Sequence, residues 1–387
     1  MRRTPSAMTA CSSRAVAGSL QTPSLTGLLH SVYAGSRPAS PKAKSINATR
    51  SPPRVSEHMI KPLLVLLLST AFVSLGAHAE DQAVNSISPD RLAINGAEAT
   101  LGLSQEWVHP KPKIERVVIV LHGRLRNAQT YLRSIERAAN QSRERSKTLL
   151  IAPQFLDEKD IVAHHLPESI LRWRQNSWME GATASNPKPV SSFLVLDHIL
   201  KRLSDSKLFP NLKEIVIAGH SGGAQVVQRY AMIGGKEDAL LHREGVKLRY
   251  VIANPSSYAY FDAERPEPVT AQTCPNFNDW KYGLNKMPFY SGKETPADIE
   301  KNYVKRDITY LMGELDTDRN HPALDKTCAA EAQGPYRLIR GQNYFNYLQK
   351  RHPEGLNQRL VIVPKVGHNG DGIFTSPEGQ AVLFKPF

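Results

Sequence analysis

The stretch EIVIAGHSGGAQVVQRYA, residues 214–231, sets one serine among glycines where an apolar run gives way to a helical pattern. An apolar run that does not alternate reads as a strand covered on both faces. Gly219, Ser221 and Gly223 fit G-x-S-x-G, a sharp turn that exposes the serine hydroxyl between strand and helix. Side chains two positions either side of the serine would collide with the strand or the helix, so glycine stands there. The bare pattern also arises in an ordinary glycine-rich turn. The strand before it and the helix after it supply the context that the nucleophilic reading demands.

The same strand-then-helix alternation extends in both directions. RVVIVLHG (116–123), TLLIAP (148–153), LRYVIANP (248–255), DITYLMG (307–313) and RLVIVP (359–364) read as further strands. AQTYLRSIERAANQS (128–142) and SFLVLDHILKRL (192–203) read as amphipathic helices, and a third runs from Ala224 to near Gly234-Gly235. EATLGLSQEW (98–107) reads as an antiparallel edge hairpin or strand. Strands alternating with helices predict a doubly wound α/β fold, mostly parallel, with helices on both faces. Two insertions, 154–190 and 262–306, lack strong strands and hold Trp173, Trp178 and Trp280. Long loops of this kind serve as lids; these aromatics either line a pocket or pack on the sheet.

Ligands of open α/β sheets bind at the carboxyl ends of the strands, and four features fall there. Ser221 follows one strand, Asp316 in GELDTD another, and His368 in VGHNG the last. A serine hydroxyl needs an imidazole to take its proton, and the imidazole needs a carboxylate to fix its tautomer. Ser221, Asp316 and His368 stand in the chain order of such a triad on this fold. The fourth feature is His122-Gly123, whose turn aims a following backbone N–H at the reaction centre. That donor is assigned to Arg124, or to Leu125 if the turn is one residue longer. With the N–H of Gly222 it would form an oxyanion hole.

On these residues the chain resembles the α/β-hydrolase superfamily, from about residue 91 to its end. The resemblance implies a sheet of about eight strands, a Ser-Asp-His triad, ester hydrolysis, and neither metal nor organic cofactor. The motif carries over to Gly219, Ser221, Gly223, Asp316, His368 and His122-Gly123. An exported form with aromatic insertions is also similar to polyester depolymerases and feruloyl-type esterases. Amide or peptide hydrolysis by the same triad, and a non-catalytic binding protein on the fold, are the alternatives.

Each candidate has a plainer reading. His368 competes with loop histidines, and His220, inside the elbow, is expected to pack beside the serine. Asp316 has Glu314 and Asp318 for neighbours. Asp316, Asp318 and Asn320 imitate the start of a calcium loop, but His321 and Thr327 occupy the places for Gly and Glu. No zinc-ligand spacing occurs either. The Arg124 side chain reads as a solvated arginine, with attraction of a carboxylate-bearing substrate as the alternative.

Met59 begins a short positive start, an apolar core and the small-x-small site Ala77-His78-Ala79, the three parts of a secretory signal. Residues 80–387 are then the catalytic domain, secreted or periplasmic, with no stable membrane span after cleavage. Residues 1–58 read as an unstructured leader from a start site placed too early. Residues 1–79 carry nine of the 49 Lys and Arg but one of the 36 Asp and Glu, which lowers the net charge from +13 to +5. No basic stripe with interleaved aromatics remains, so nucleic acid is not expected as a partner. The expected partner is an ester-bearing small molecule or polymer. Cys274 and Cys328 are the two cysteines left, and an oxidising compartment predicts a disulfide between them.

Overall fold

The computed structural model describes residues 82–235, 241, 242 and 244–385. The expected leader and signal peptide lie outside these residues. One eight-stranded sheet runs through the described chain. Its strands are β1 (Asp90–Ile94), β2 (Ala97–Leu103), β3 (Arg116–Leu121), β4 (Thr148–Gln154), β5 (Glu214–His220), β6 (Lys247–Ala253), β7 (Asp307–Gly313) and β8 (Gln358–Val363). Their spatial order is β1-β2-β4-β3-β5-β6-β7-β8. β1, β2 and β4 pair antiparallel, and every pair from β4 across to β8 is parallel.

Alternate residues of the parallel strands feed two separate cores. Val117, Ile119, Ile215, Ile217, Ile252 and Ile308 point to one face, and Val118, Val120, Val216, Ala218, Val251 and Leu311 to the other. The first face is covered by α3 (Ser192–Leu203), α4 (Gly222–Ile233), α5 (Pro296–Tyr303) and α7 (Arg337–Arg351). The second is covered by α1 (Ala128–Gln141), α8 (Gly370–Thr375) and α9 (Pro377–Phe384). Among the described residues, α2 (Glu158–Ala163) and α6 (Cys328–Glu331) are further short α-helices. Both faces being buried is the reason the strands read as continuous apolar runs. Among the described residues no helix is long and apolar enough to cross a membrane.

The edge is a hairpin that begins before the stretch read from sequence. β1 and β2 pair through Ile94 and Ala97 around Asn95-Gly96, both at positive φ (51° and 79°). An Asn-Gly pair is the favoured two-residue hairpin turn because both positions must be left-handed. β2 stops at Leu103, so Trp107 is a loop residue, with the Arg202 guanidinium 5.0 Å from its ring centre.

The aromatic insertions divide their work. Trp173 and Trp178 are buried against Phe155, in an edge contact of 5.2 Å and a stack of 5.2 Å respectively, and extend the core. Trp280 donates its indole N–H to the Glu180 carbonyl at 2.7 Å and ties the second insertion to the first. The tryptophans thus tie the two insertions to the core and to each other, and Asn176 and Lys281 of these insertions line a hollow beside Ser221. The Cys274–Cys328 disulfide, with Cα atoms 5.8 Å apart, joins the second insertion to α6.

Candidate active site

The carboxyl ends of β3, β5, β7 and β8 meet at one rim of the sheet. Register places Leu121 of β3 beside Gly219 of β5, and His220 of β5 beside Ala253 of β6. Ser221 is the next residue, at φ 56° and ψ −118°, and opens α4. Its backbone N–H donates to the Ala253 carbonyl at 2.9 Å. This bond holds a conformation that a non-glycine residue adopts only under strain. Glycines make the turn feasible. A Cβ on Gly219 would come within 2.4 Å of the Gly223 backbone, and one on Gly223 within 2.2 Å of the Leu121 carbonyl oxygen.

Ser221 does not cap its own helix, so its hydroxyl is available elsewhere. It donates to His368 Nε2 at 3.0 Å, and His368 Nδ1–H donates to Asp316 Oδ2 at 2.7 Å. The two contacts together assign the His368 tautomer. Of the three acids in GELDTD, only Asp316 is buried. Glu314 accepts from the Lys365 N–H and Asp318 from the Asn320 N–H, and His368 Nδ1 pairs with Asp316. Among the described residues no group of three or more His, Cys, Asp or Glu is placed to hold a metal ion.

Burial would raise the Asp316 carboxyl. The His368 hydrogen bond, the His368 and Arg337 charges and the Asn254 amide together hold it below the usual carboxylate range. Burial lowers His368 below its ordinary value, Asp316 opposes this, and Arg337 and Arg124 add to it. The imidazole is therefore neutral, as a base must be, at any pH above that lowered value. His220 is pushed much further down, first by burial and then by His368, Arg337 and His321. Its ring packs 4.6 Å from that of His368, and its Nδ1 meets the Tyr131 hydroxyl at 3.0 Å. It is a packing neighbour and stays neutral.

The turn after β3 is fixed by His122. Its Nδ1–H donates to the Gly123 carbonyl at 2.8 Å, and its Nε2 accepts the Phe155 N–H at 3.0 Å. Burial lowers its pKa to about 4, so both roles persist at neutral pH. Just beyond, Arg126 pairs with fully buried Asp160 at 2.7 Å. This turn meets the start of α4. A Cβ on Gly222 would lie 3.1 Å from the Arg124 nitrogen and 2.6 Å from Met179 Sδ.

Solved structures share this architecture. Poly(aspartic acid) hydrolase-1 from Sphingomonas sp. KT-1 superposes with a TM-score of 0.54 at 18% identity, over 79% of this chain and 100% of that one. A poly(3-hydroxybutyrate) depolymerase from Bordetella parapertussis gives 0.52 at 22% identity, over 75% and 84%. The chain has the α/β-hydrolase fold. No family model matches it, and no curated protein matches it in sequence.

Several residues of this candidate site on the α/β-hydrolase fold were not legible as site residues. Asn254, at the end of β6, donates to Asp316 Oδ2 at 2.6 Å and accepts the Gly313 N–H at 2.9 Å. A buried polar residue just past a strand was its only signal. Arg337, at the start of α7, has none in the sequence; it lies 3.5 Å from Asp316 Oδ1. His321, considered only as a misfit in a calcium loop, sets its ring edge-on to His368 at 4.9 Å.

Proposed function

We propose that the protein is a serine hydrolase that cleaves carboxylic esters, with Ser221 as nucleophile, His368 as general base and acid, and Asp316 as the orienting carboxylate. The observation that carries this reading is the unbroken line from Ser221 Oγ through both His368 nitrogens to Asp316 Oδ2. Ser221 Oγ attacks the ester carbonyl carbon as His368 Nε2 takes its proton. The imidazolium is stabilised by Asp316. The carbonyl oxygen, now an oxyanion, is met by the backbone N–H groups of Arg124 and Gly222 at the positive end of α4. Collapse breaks the ester C–O bond, and His368 returns the proton to the departing alkoxide. Water, deprotonated by His368, then releases the acid and restores Ser221.

The two neighbours named above are a polyester depolymerase and a poly(aspartic acid) hydrolase. At their identities they support the fold, and the chemistry rests on the geometry of this chain. We also propose that the chain is exported after cleavage behind Ala79, leaving residues 80–387 as one catalytic domain, secreted or periplasmic. The signal pattern and the disulfide support that placement.

Fluorophosphonate labelling followed by a panel of esters and matched amides tests the reaction class. Labelling with ester turnover is expected. A protein that is neither labelled nor active on any ester would end the hydrolase reading.

A further inference from the structure

Ser221 borders two hollows. One, about 560 Å³, has Tyr131, His321, His368 and Asn369 in its wall. The other, about 150 Å³, is lined by Asn176, Met179, Gln225, Ser256, Lys281 and Asp325, with Gly222 at its edge and Arg124 shared with the first. Catalysis tells them apart. The leaving oxygen takes its proton from His368 Nε2, so the alcohol side belongs in the hollow that contains His368. The acyl side then occupies the smaller hollow, whose wall lacks it.

That smaller wall suits a charged acyl group better than a hydrocarbon. An alkyl chain would strip water from the partly exposed Asn176 and Lys281 with nothing to replace it. Lys281 is half-buried; its carbonyl accepts from Arg229 Nε at 3.3 Å, but its ammonium makes no hydrogen bond or ion pair with any described residue and sits 5.6 Å from the Tyr282 ring centre. The charges around it are already engaged. Arg229 donates to the Met179 carbonyl, Gln225 Oε1 and Ser257 Oγ. Asp325 accepts from the Tyr282 hydroxyl and from both the N–H and hydroxyl of Thr327.

Resting on the hydrolase reading, we propose that the acyl part of the substrate carries a carboxylate a few atoms from the scissile carbonyl, and that Lys281 binds it. The substrate class is an ester of a short diacid or of another carboxylate-bearing acid. The substrate carboxylate gives the ammonium a direct ion pair, and the small volume limits the spacer to a few carbons.

Monoethyl succinate and ethyl pentanoate have the same leaving group and differ in the terminal charge. Ethanol release from each gives a ratio of kcat/KM within one preparation, so partial misfolding cancels. The ratio should favour the anionic ester in the wild type, fall by roughly tenfold or more in Lys281→Met through KM, and be largely retained in Lys281→Arg. A neutral ester preferred by the wild type, or a ratio unmoved in Lys281→Met, overturns the proposal. So does a fluorophosphonate-labelled protein that cleaves neither ester, while the nucleophile assignment survives. If the protein is neither labelled nor active, it is the hydrolase reading that falls, and this proposal falls with it.

Discussion

The guanidinium of Arg337, fully buried at the start of α7, lies 3.5 Å from the carboxylate of Asp316. None of its three nitrogens has a well-formed hydrogen bond. Burial lowers its pKa to about 10, so it remains a cation at neutral pH. It is a positioning residue, touching the acid and biasing the base beyond it. Arg337→Gln removes a positive charge that disfavours protonation of His368, so the acid limb of kcat/KM should move to higher pH. Stability should fall by about 3 kcal/mol, as when a buried pair loses one partner. An acid limb that stays in place shows that Arg337 is structural only.

The wild-type profile follows from the same directions. His368 is lowered from 6.5, so half-maximal kcat/KM on the acid side should lie below that value. Asp316 is lowered from 3.8; its ionised form therefore stabilises the fold above the unfolded pKa, and that contribution is lost as pH falls through the folded one. A kcat/KM titration finding the limb above 6.5 contradicts the electrostatics described for the site.

Asp316→Asn and Asp318→Asn separate the acid from its neighbour. Asp316→Asn should fold and lose roughly four orders of magnitude in kcat, because the amide holds the wrong imidazole tautomer. Asp318 is exposed, and Asp318→Asn should be close to wild type. Steady-state kinetics with both variants decides the assignment. The reverse pattern would make Asp318 the acid.

The disulfide fastens the second insertion, which supplies Lys281, to the segment following Asp316. The chain-entropy model allows it about 4 kcal/mol for a loop of this length. Reduction should lower the unfolding midpoint and loosen the smaller hollow before the triad itself. Two free thiols in alkylated, unreduced protein would rule the bridge out.

Much of this was written in local patterns. Gly219 and Gly223 marked the elbow because a Cβ at either meets backbone, a constraint that no side-chain movement relieves. The parallel strands announced themselves because both of their faces are buried. The start of the hairpin was missed, although Asn95-Gly96 is a strong turn signal, because β1 is a half-exposed edge strand without an apolar run. Asn254, Arg337 and Lys281 were hidden for a different reason. Asn254 and Arg337 act through Asp316, which is 62 positions from Asn254, and Lys281 reaches Ser221 only through a shared hollow; no local period encodes such a meeting.

The central claim is that Ser221 is the nucleophile activated by His368. Its most direct test is the site of covalent attack. Wild-type protein and the Ser221→Ala and His368→Ala variants are treated with a fluorophosphonate, digested, and mapped by mass spectrometry. The account predicts one adduct on Ser221 in the wild type, none in Ser221→Ala, and a labelling rate reduced by about a hundredfold or more in His368→Ala. An adduct on another residue, or ester turnover undiminished in Ser221→Ala, would contradict it.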